Sequence, residues 1–387
     1  MGVDMMRKKI KVLQLGKFFH PYKGGIELVS LSLAQALNND QVECDVLCFA
    51  HDSEESDEKF EFKVIRARSI LKFGSTCLSL DFFRSLKKIG DDYDIIHVHL
   101  PNPIAHLALL LCRPKAKIVL HWHSDIIRQK ILSKFYRPFL KGLINRSSAI
   151  IGATKSHVNE SDYSDLFLGK KFVIPYIFDH FTLTDRPVNK QAVAMLRRKF
   201  GDKKVLFSVG RHVYYKGFDS LISSAKFLSR DYVVLIGGTG PDTGDLISFI
   251  EVHGLKDRVH LLGRLTDEEL INYLDYCSIF VLPSNVRSEM FGMVQLEAFA
   301  RSKPVICTVI PRSGVSHVGK HGVTGLNVPV NAPKAIAEAA EFISSNPKYQ
   351  EFCNGALGWI QSKYAHDKIV SDHISVYEQI LDGGLST

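Results

Sequence analysis

The chain is 387 residues long, 45% apolar and 23% charged, and carries a net charge of +8. This is the composition of a soluble globular protein rather than a disordered one, and the length exceeds one ordinary core, so two domains are expected. The positive charge favours anionic partners such as nucleotides, nucleic acid or acidic lipid head groups, and it equally suits a generally basic soluble enzyme.

Residues 1–11 are charged and run straight into a strand pattern, so no signal peptide is expected and the protein is expected on the cytoplasmic side. Strand patterns follow at 11–15, 44–48, 63–65, 95–99, 117–121, 149–151 and 171–174, with helical patterns such as 25–38 between them. The acidic stretch 52–59 reads as a solvated loop. The longest apolar stretch, 104–112, contains His106 and is far too short to cross a bilayer. The strand series restarts at 205–209 and continues at 232–236, 259–262, 279–282 and 304–307; helical patterns from 332 to 382 close the chain. Strand–helix alternation with short loops predicts parallel sheets covered on both faces, and two such series predict two doubly wound α/β domains. The boundary falls in the polar stretch 179–191, near the breakers Pro175 and Pro187. The expected domains are therefore 1–185 and 186–365, followed by a terminal helix in 366–387 that packs back on the first. The seven cysteines are scattered without a Cys-x-x-Cys pair, which predicts reduced, buried thiols rather than a zinc site.

Ligands of open parallel sheets bind beyond the C-terminal ends of the strands, and the suggestive residues fall there. Gly24 and Gly25 follow the first strand and precede a helix, so a phosphate could approach their backbone; a plain tight loop reads equally well. No Gly-x-Gly-x-x-Gly follows this strand, so the loop is not the dinucleotide fingerprint. His123 follows the strand at 117–121, where it could bond a sugar hydroxyl or take a proton; a satisfied structural histidine reads equally well. Arg211 and Lys216 flank a short loop after the strand at 205–209, and together they could grip a diphosphate and offset the charge growing on it as it leaves. The loop 237–240 lacks the third glycine of a Rossmann fingerprint and reads as a packing loop. Glu289 and Glu297 stand eight residues apart, one in a loop and one about two turns further on near the same helical face. Ionised carboxylates only accept hydrogen bonds, which suits ribose and hexose hydroxyls, while the helix N-terminus between them suits phosphate. Sugars joined by a diphosphate describe a nucleotide sugar.

Asp92 and Asp94 form an Asp-x-Asp pair, but they precede the strand at 95–99 and so sit at the wrong end of the sheet for a metal–diphosphate site. The segment 126–146 carries Arg128, Lys130, Lys134, Arg137, Lys141 and Arg146 and no acidic residue. Ile127, Ile131, Phe135, Phe139 and Leu143 recur in it at helical spacing, and Pro138 should bend or interrupt the helix. Such a segment suits the anionic inner face of a membrane, and a helix with an ordinary core face and a solvated basic face is the alternative.

Taken together, Glu289-x7-Glu297 with Phe291-Gly292 inside it, Gly210-Arg211-x4-Lys216-Gly217, the Gly24-Gly25 loop and Trp122-His123-Ser124 resemble family 4 of the glycosyltransferases, retaining enzymes with the GT-B fold. The resemblance covers nearly the whole chain. It implies two Rossmann-like domains whose parallel sheets face a central cleft, the first binding the acceptor and the second the nucleotide sugar. It further implies that Arg211 and Lys216 hold the donor diphosphate, Glu289 the transferred sugar and Glu297 the ribose. Phe291, Gly292 and Met293 would offer backbone groups near sugar and phosphate, His123 would lie beside the sugar, and Gly24 and Gly25 beside the phosphates and acceptor. No metal and no cofactor are implied. Residues 283–289 and 123–130 look most like bacterial enzymes building O-antigen or capsule units, which often move mannose from GDP-mannose to a lipid-linked oligosaccharide. A UDP-sugar donor, a nucleotide-sugar epimerase and a non-catalytic nucleotide-sugar-binding protein are the alternatives; no motif for a nucleic-acid partner is found.

Overall fold

The computed structural model describes residues 8–22, 24–50, 59–68, 71–73, 76–125, 130–178, 186–345 and 347–383. The acidic loop and the inter-domain boundary anticipated above fall largely outside them. The described chain forms two compact units. One comprises the residues up to Phe178 together with those from His366 onward, and the other ends at Ala365.

The first unit is built on strands β1 (Ile10–Leu15), β2 (Val42–Phe49), β3 (Val64–Ala67), β6 (Ile95–Leu100), β7 (Lys117–Trp122), β8 (Ala149–Gly152) and β9 (Lys171–Val173). They pair in the order β3-β2-β1-β6-β7-β8-β9, all parallel. Two short strands, β4 (Leu71–Phe73) and β5 (Thr76–Leu78), form a separate antiparallel pair that the sequence reading did not contain. At three residues each they are too brief to show a period.

Parallel strands need covering on both faces, and the helices supply it. In helix Gly25–Leu37 the buried residues Val29, Leu33 and Leu37 recur at four-residue intervals, with Ser30 and Ala34 beside them. The terminal helix His366–Leu381 buries Ile369, Val370, Ile374, Val376, Tyr377 and Ile380 in the same fashion, and it lies against helix Gly25–Leu37. Its Tyr377 hydroxyl is 2.7 Å from His97 Nδ1 on β6. The core beneath contains Leu13, Leu47, Val98, Leu120, Phe49 and Phe82, all essentially inaccessible to solvent. Each such side chain contributes roughly 1.5–3 kcal/mol by leaving water.

The second unit uses β10 (Lys204–Val209), β11 (Tyr232–Gly237), β12 (Val259–Gly263), β13 (Ile279–Leu282), β14 (Val305–Val309) and β15 (Gly325–Pro329), in the order β12-β11-β10-β13-β14-β15, again parallel throughout. β15 escapes the sequence pattern because glycine and proline bound it. Gly325 has φ +143°, and a Cβ there would lie 1.9 Å from the Val305 carbonyl oxygen, so only glycine permits the pairing.

In each sheet the order reverses beside the first strand of its series, at β1/β6 and at β10/β13. Loops that leave the carboxyl ends of such neighbours diverge and open a crevice between them. Asp94 precedes β6, and its carboxylate accepts the Lys11 backbone N–H at 2.9 Å, at the opposite end of the strands.

Replacing Tyr377 by phenylalanine leaves the buried His97 Nδ1 without its partner. This should cost about 1–3 kcal/mol, read as a lower urea midpoint.

Candidate active site

The switch point of the second sheet holds most of the anticipated residues. β10 ends at Val209, and the chain then passes through Gly210, Arg211 and a 3₁₀ turn, Tyr214–Lys216, to Gly217. Gly217 has φ +63°, and a Cβ there would meet the Pro283 carbonyl oxygen at 2.2 Å. This loop is therefore pressed against the one leaving β13, and the Asn285 N–H donates to the Tyr215 carbonyl at 3.0 Å. The contact delivers Lys216 to Glu289, with Nζ 2.5 Å from Oε2 and both side chains largely buried. The Ser284 hydroxyl donates to the same carboxylate oxygen at 3.1 Å. The Glu289 carboxylate, opposed by burial, holds the Lys216 ammonium above the ordinary lysine range. Arg211, on the same loop, is exposed and makes no ion pair among the described residues.

The backbone around Glu289 is itself tied down. The Ser313 hydroxyl donates to the Glu289 carbonyl at 2.5 Å, Gly314 N–H to the Met290 carbonyl at 2.9 Å, and the Thr308 hydroxyl to the Ser284 carbonyl. Phe291 is buried edge-on to Tyr364, ring centroids 6.3 Å apart. Gly292 has φ +74°, and a Cβ there would lie 2.4 Å from Leu282 Cδ2. Met293 caps the short helix Val294–Ala300, which places Glu297 in its first turn. The sequence reading put Glu289 in a loop and Glu297 about two turns further on near the same face. Glu289 is indeed in the loop, and because Gly292 turns the chain sharply the helix opens only at Val294, so Glu297 stands in its first turn. Burial and repulsion by Asp267, opposed by Lys216, push the Glu297 carboxyl up to about 7.

The glycine loop after β11 has a specific task. A Cβ on Gly238 would stand 1.9 Å from the Gly210 carbonyl oxygen, and one on Gly240 would stand 2.2 Å from that of His212. These glycines admit the Arg211 loop rather than serving only helix–sheet packing. Buried His212 locks it, through Nδ1 to the Thr243 hydroxyl at 2.9 Å and its N–H to the Thr239 carbonyl at 3.0 Å. Ser284, Ser313, Thr308, His212 and Thr243 were missed from sequence. Only Ser284, directly after a strand end, carried a positional signal.

In the first unit, Gly24 and Gly25 open helix Gly25–Leu37 as expected from the sequence. A Cβ on Gly24 would lie 2.1 Å from Glu27 Oε2, so a carboxylate of the first turn stands beside this glycine, while Gly25 is open around its Cα. His123 is buried just beyond β7. Its Nε2 is 2.9 Å from His99 Nδ1 and its Nδ1 is 2.7 Å from the Tyr176 hydroxyl. His99 Nε2 in turn meets the Gln14 amide at 2.8 Å, and either orientation of that amide gives a consistent run of donors and acceptors. A sugar hydroxyl reaching a ring nitrogen of His123 would have to replace one of these partners. Trp122 Nε1 and Ser161 Oγ both donate to Asp125, at 2.9 and 2.7 Å, which sets the loop after β7. His97, His121 and His373 lie against the same stack. His99, His121 and His123 offer ring nitrogens within 4.8 Å of one another, as three metal ligands would. The His99–His123 hydrogen bond already accounts for one of those close approaches.

Within helix Lys130–Arg146, the anticipated stripe divides. Leu143 belongs to the core with Leu140 and Ile144, whereas Phe139 is 59% exposed. Arg146 donates to the Leu109 and Pro114 carbonyls, both at 2.7 Å, and Arg137 lies over the Tyr163 ring, while Lys141 is exposed as well. The helix runs through Pro138 without ending. Residues 126–129, with Arg128 and Ile127, lie outside the described residues, and the side chains of 130–136 are likewise not described.

Burial drives the clustered histidines down: His99, further lowered by repulsion from His373, to about 3, and His373, against the opposing Ile369 carbonyl and Asp372, to about 4. Depressed histidines leave the unfolded chain binding more protons once pH falls below about 6.5, so the stability they allow is complete above that value and lost beneath it. Urea midpoints of the first unit should therefore drop between pH 7 and pH 5, and His121→Asn should shallow that slope.

The chain matches two family models: glycosyl transferases group 1 over residues 196–356 and glycosyltransferase family 4 over residues 23–161. It is 31% identical over 376 residues to the O-antigen chain mannosyltransferase C of Escherichia coli, covering 96% of this chain and 99% of that protein. It is 33% identical over 329 residues to the D-rhamnosyltransferase WbpZ of Pseudomonas aeruginosa, covering 85% and 84%. Its fold is similar to that of Anabaena HepE, solved in complex with UDP, with a TM-score of 0.74 at 19% identity over 96% of this chain and 100% of that one. Similarity in sequence and in fold extends over both parallel sheets and takes in the Arg211 loop and Glu289, so the chain belongs to glycosyltransferase family 4, enzymes of the GT-B fold.

Proposed function

We propose that this glycosyltransferase moves a hexose, with mannose from GDP-mannose the leading case, onto a lipid-linked oligosaccharide during O-antigen or capsule synthesis, with retention at the anomeric carbon. The observation that carries the reading is the pairing of Lys216 with Glu289 beside exposed Arg211 at the switch point of the second sheet. One loop there offers two cations for a diphosphate, and the other a carboxylate for sugar hydroxyls. The likeness to the E. coli mannosyltransferase along nearly the full chain supports the sugar and the pathway.

On this reading the second unit binds the donor and the first the acceptor. Arg211 and Lys216 hold the diphosphate, Glu289 the hexose and Glu297 the ribose, with backbone groups of Phe291, Gly292 and Met293 between them. Gly24 and Gly25 approach the phosphates and acceptor, and His123 stands beside the transferred sugar. The bond from the anomeric carbon to the phosphate oxygen breaks as the acceptor oxygen bonds to that carbon on the same face. The acceptor's proton passes to the departing phosphate. Orientation and the two cations lower the barrier, so no metal ion is assigned a role.

Screening GDP- and UDP-sugars by thermal shift tests the donor, because a selective ligand stabilises the folded state. The expected outcome is a response to a GDP-sugar, and no response to any nucleotide sugar would defeat the reading. Arg211→Ala and Lys216→Ala should each slow transfer by about 10²–10³-fold, and EDTA should leave the rate unchanged. Glu297 accepts ribose hydroxyls best when ionised, so nucleotide affinity should fall as pH drops through its value of about 7, and Glu297→Gln should flatten that dependence.

The basic segment 126–146, with Phe139 and Lys141 exposed, is proposed to rest on the anionic cytoplasmic face of the membrane that carries the acceptor. Among the described residues no helix is long and apolar enough to cross a membrane. Co-sedimentation with phosphatidylglycerol vesicles should weaken on Phe139→Ser with Lys141→Ala, and binding equal to wild type would remove the proposal.

A further inference from the structure

We infer that Glu289 competes with the donor's phosphate for Lys216, so that a nucleoside diphosphate is held firmly only while a sugar occupies Glu289. The inference rests on the donor-site reading above and adds a means of discharging the spent nucleotide.

The geometry is specific. Lys216 Nζ stands 2.5 Å from Glu289 Oε2, with side-chain exposures of 15% and 12%. Few waters screen the pair, so each charge strongly shapes what the other can bind. The Lys216 stem is also confined, because it lies across Gly210, where a Cβ would meet its Cε at 3.3 Å. Glu289 is anchored independently of Lys216 by the Ser284 hydroxyl at 3.1 Å and by the Ser313 hydroxyl on its carbonyl. The carboxylate therefore keeps its place when Lys216 turns to another anion. A phosphate reaching that ammonium must come close to the Glu289 carboxylate, and like charges at such range repel.

An intact nucleotide sugar relieves the conflict. Its diphosphate draws on Lys216 and Arg211, while its sugar hydroxyls donate to the Glu289 oxygens and replace the ammonium they lose. A bare nucleoside diphosphate supplies only the first half. Once the sugar has been transferred, Glu289 has no hydroxyl partner, reclaims Lys216 and weakens the grip on the product. Arg211, exposed and in no ion pair among the described residues, holds phosphate alike in both cases. The pair thus discriminates the loaded donor from the unloaded product by charge.

The test titrates GDP and UDP, without sugar, into the full-length protein by calorimetry. Glu289→Gln keeps the shape and removes the competing charge, so the preferred nucleotide should bind about tenfold tighter even as transfer falls. In a Lys216→Gln background, where only the direct repulsion is left to relieve, the same substitution should give a clearly smaller gain, a coupling that a merely structural role for Glu289 would not produce. Glu289→Asp, which keeps the charge but withdraws it, serves as a second variant and should give a smaller gain than glutamine. A folded Glu289→Gln protein that binds the nucleotide no tighter than wild type overturns the inference while leaving the donor-site reading intact. If neither wild type nor any variant binds either nucleotide, the donor-site reading falls and the inference falls with it.

Discussion

The arrangement at the second sheet depends on how closely two backbones approach at its switch point. Gly217 lies so near the Pro283 carbonyl that a Cβ would be 2.2 Å from the oxygen. A side chain on that residue would push the β10 and β13 loops apart. Separation of the loops would also withdraw Lys216 from Glu289 and break the Asn285–Tyr215 hydrogen bond. The electrostatics of the site therefore follow from a steric condition.

The same logic repeats one strand away. Gly238 and Gly240 allow the β11 loop to lie against the Gly210–His212 backbone, and His212 with Thr243 closes the junction. Three loops are thereby joined through hydrogen bonds and close backbone packing. Groups held in this way need little reorganisation to meet a charged partner, which is the condition under which fixed cations act most strongly. Lys216 is paired before any ligand arrives, while Arg211 is exposed, so the two cations present an anion with different electrostatic surroundings.

In the first unit the constraint is polar rather than steric. Gln14, His99, His123 and Tyr176 form one buried run of hydrogen bonds, and Tyr377, His97 and His121 form a second whose rings stack against the first. Neutral imidazoles suit this role because each offers one donor and one acceptor. Dependence on neutrality makes the same region sensitive to acid. Tyr377 belongs to the terminal helix, so a residue from the far end of the chain holds His97 in the second of these runs.

Much of this was legible in the sequence because its cause is local. The alternation of strand and helix is written in hydrophobic period and loop composition, and it specified two doubly wound sheets of parallel strands. Arg211, Lys216, Glu289 and His123 are singled out by their position after strand ends, and Glu289 and Glu297 by their spacing. Other features depend on residues distant in the chain and leave no local trace. Gly325 needs its unusual φ because Val305 is its neighbour, and Leu143 joins the core while Phe139 does not because of what packs against one side of the helix. The partners of His123, and the bond between Lys216 and Glu289 across 73 residues of chain, were likewise decided only in three dimensions. The sequence by itself determined which chemical groups stand at the strand ends, since periodicity and loop position are properties of adjacent residues. The tertiary structure decided which of those groups meet, because hydrogen bonds, ion pairs and steric contacts between remote segments exist only once the loops have been brought together.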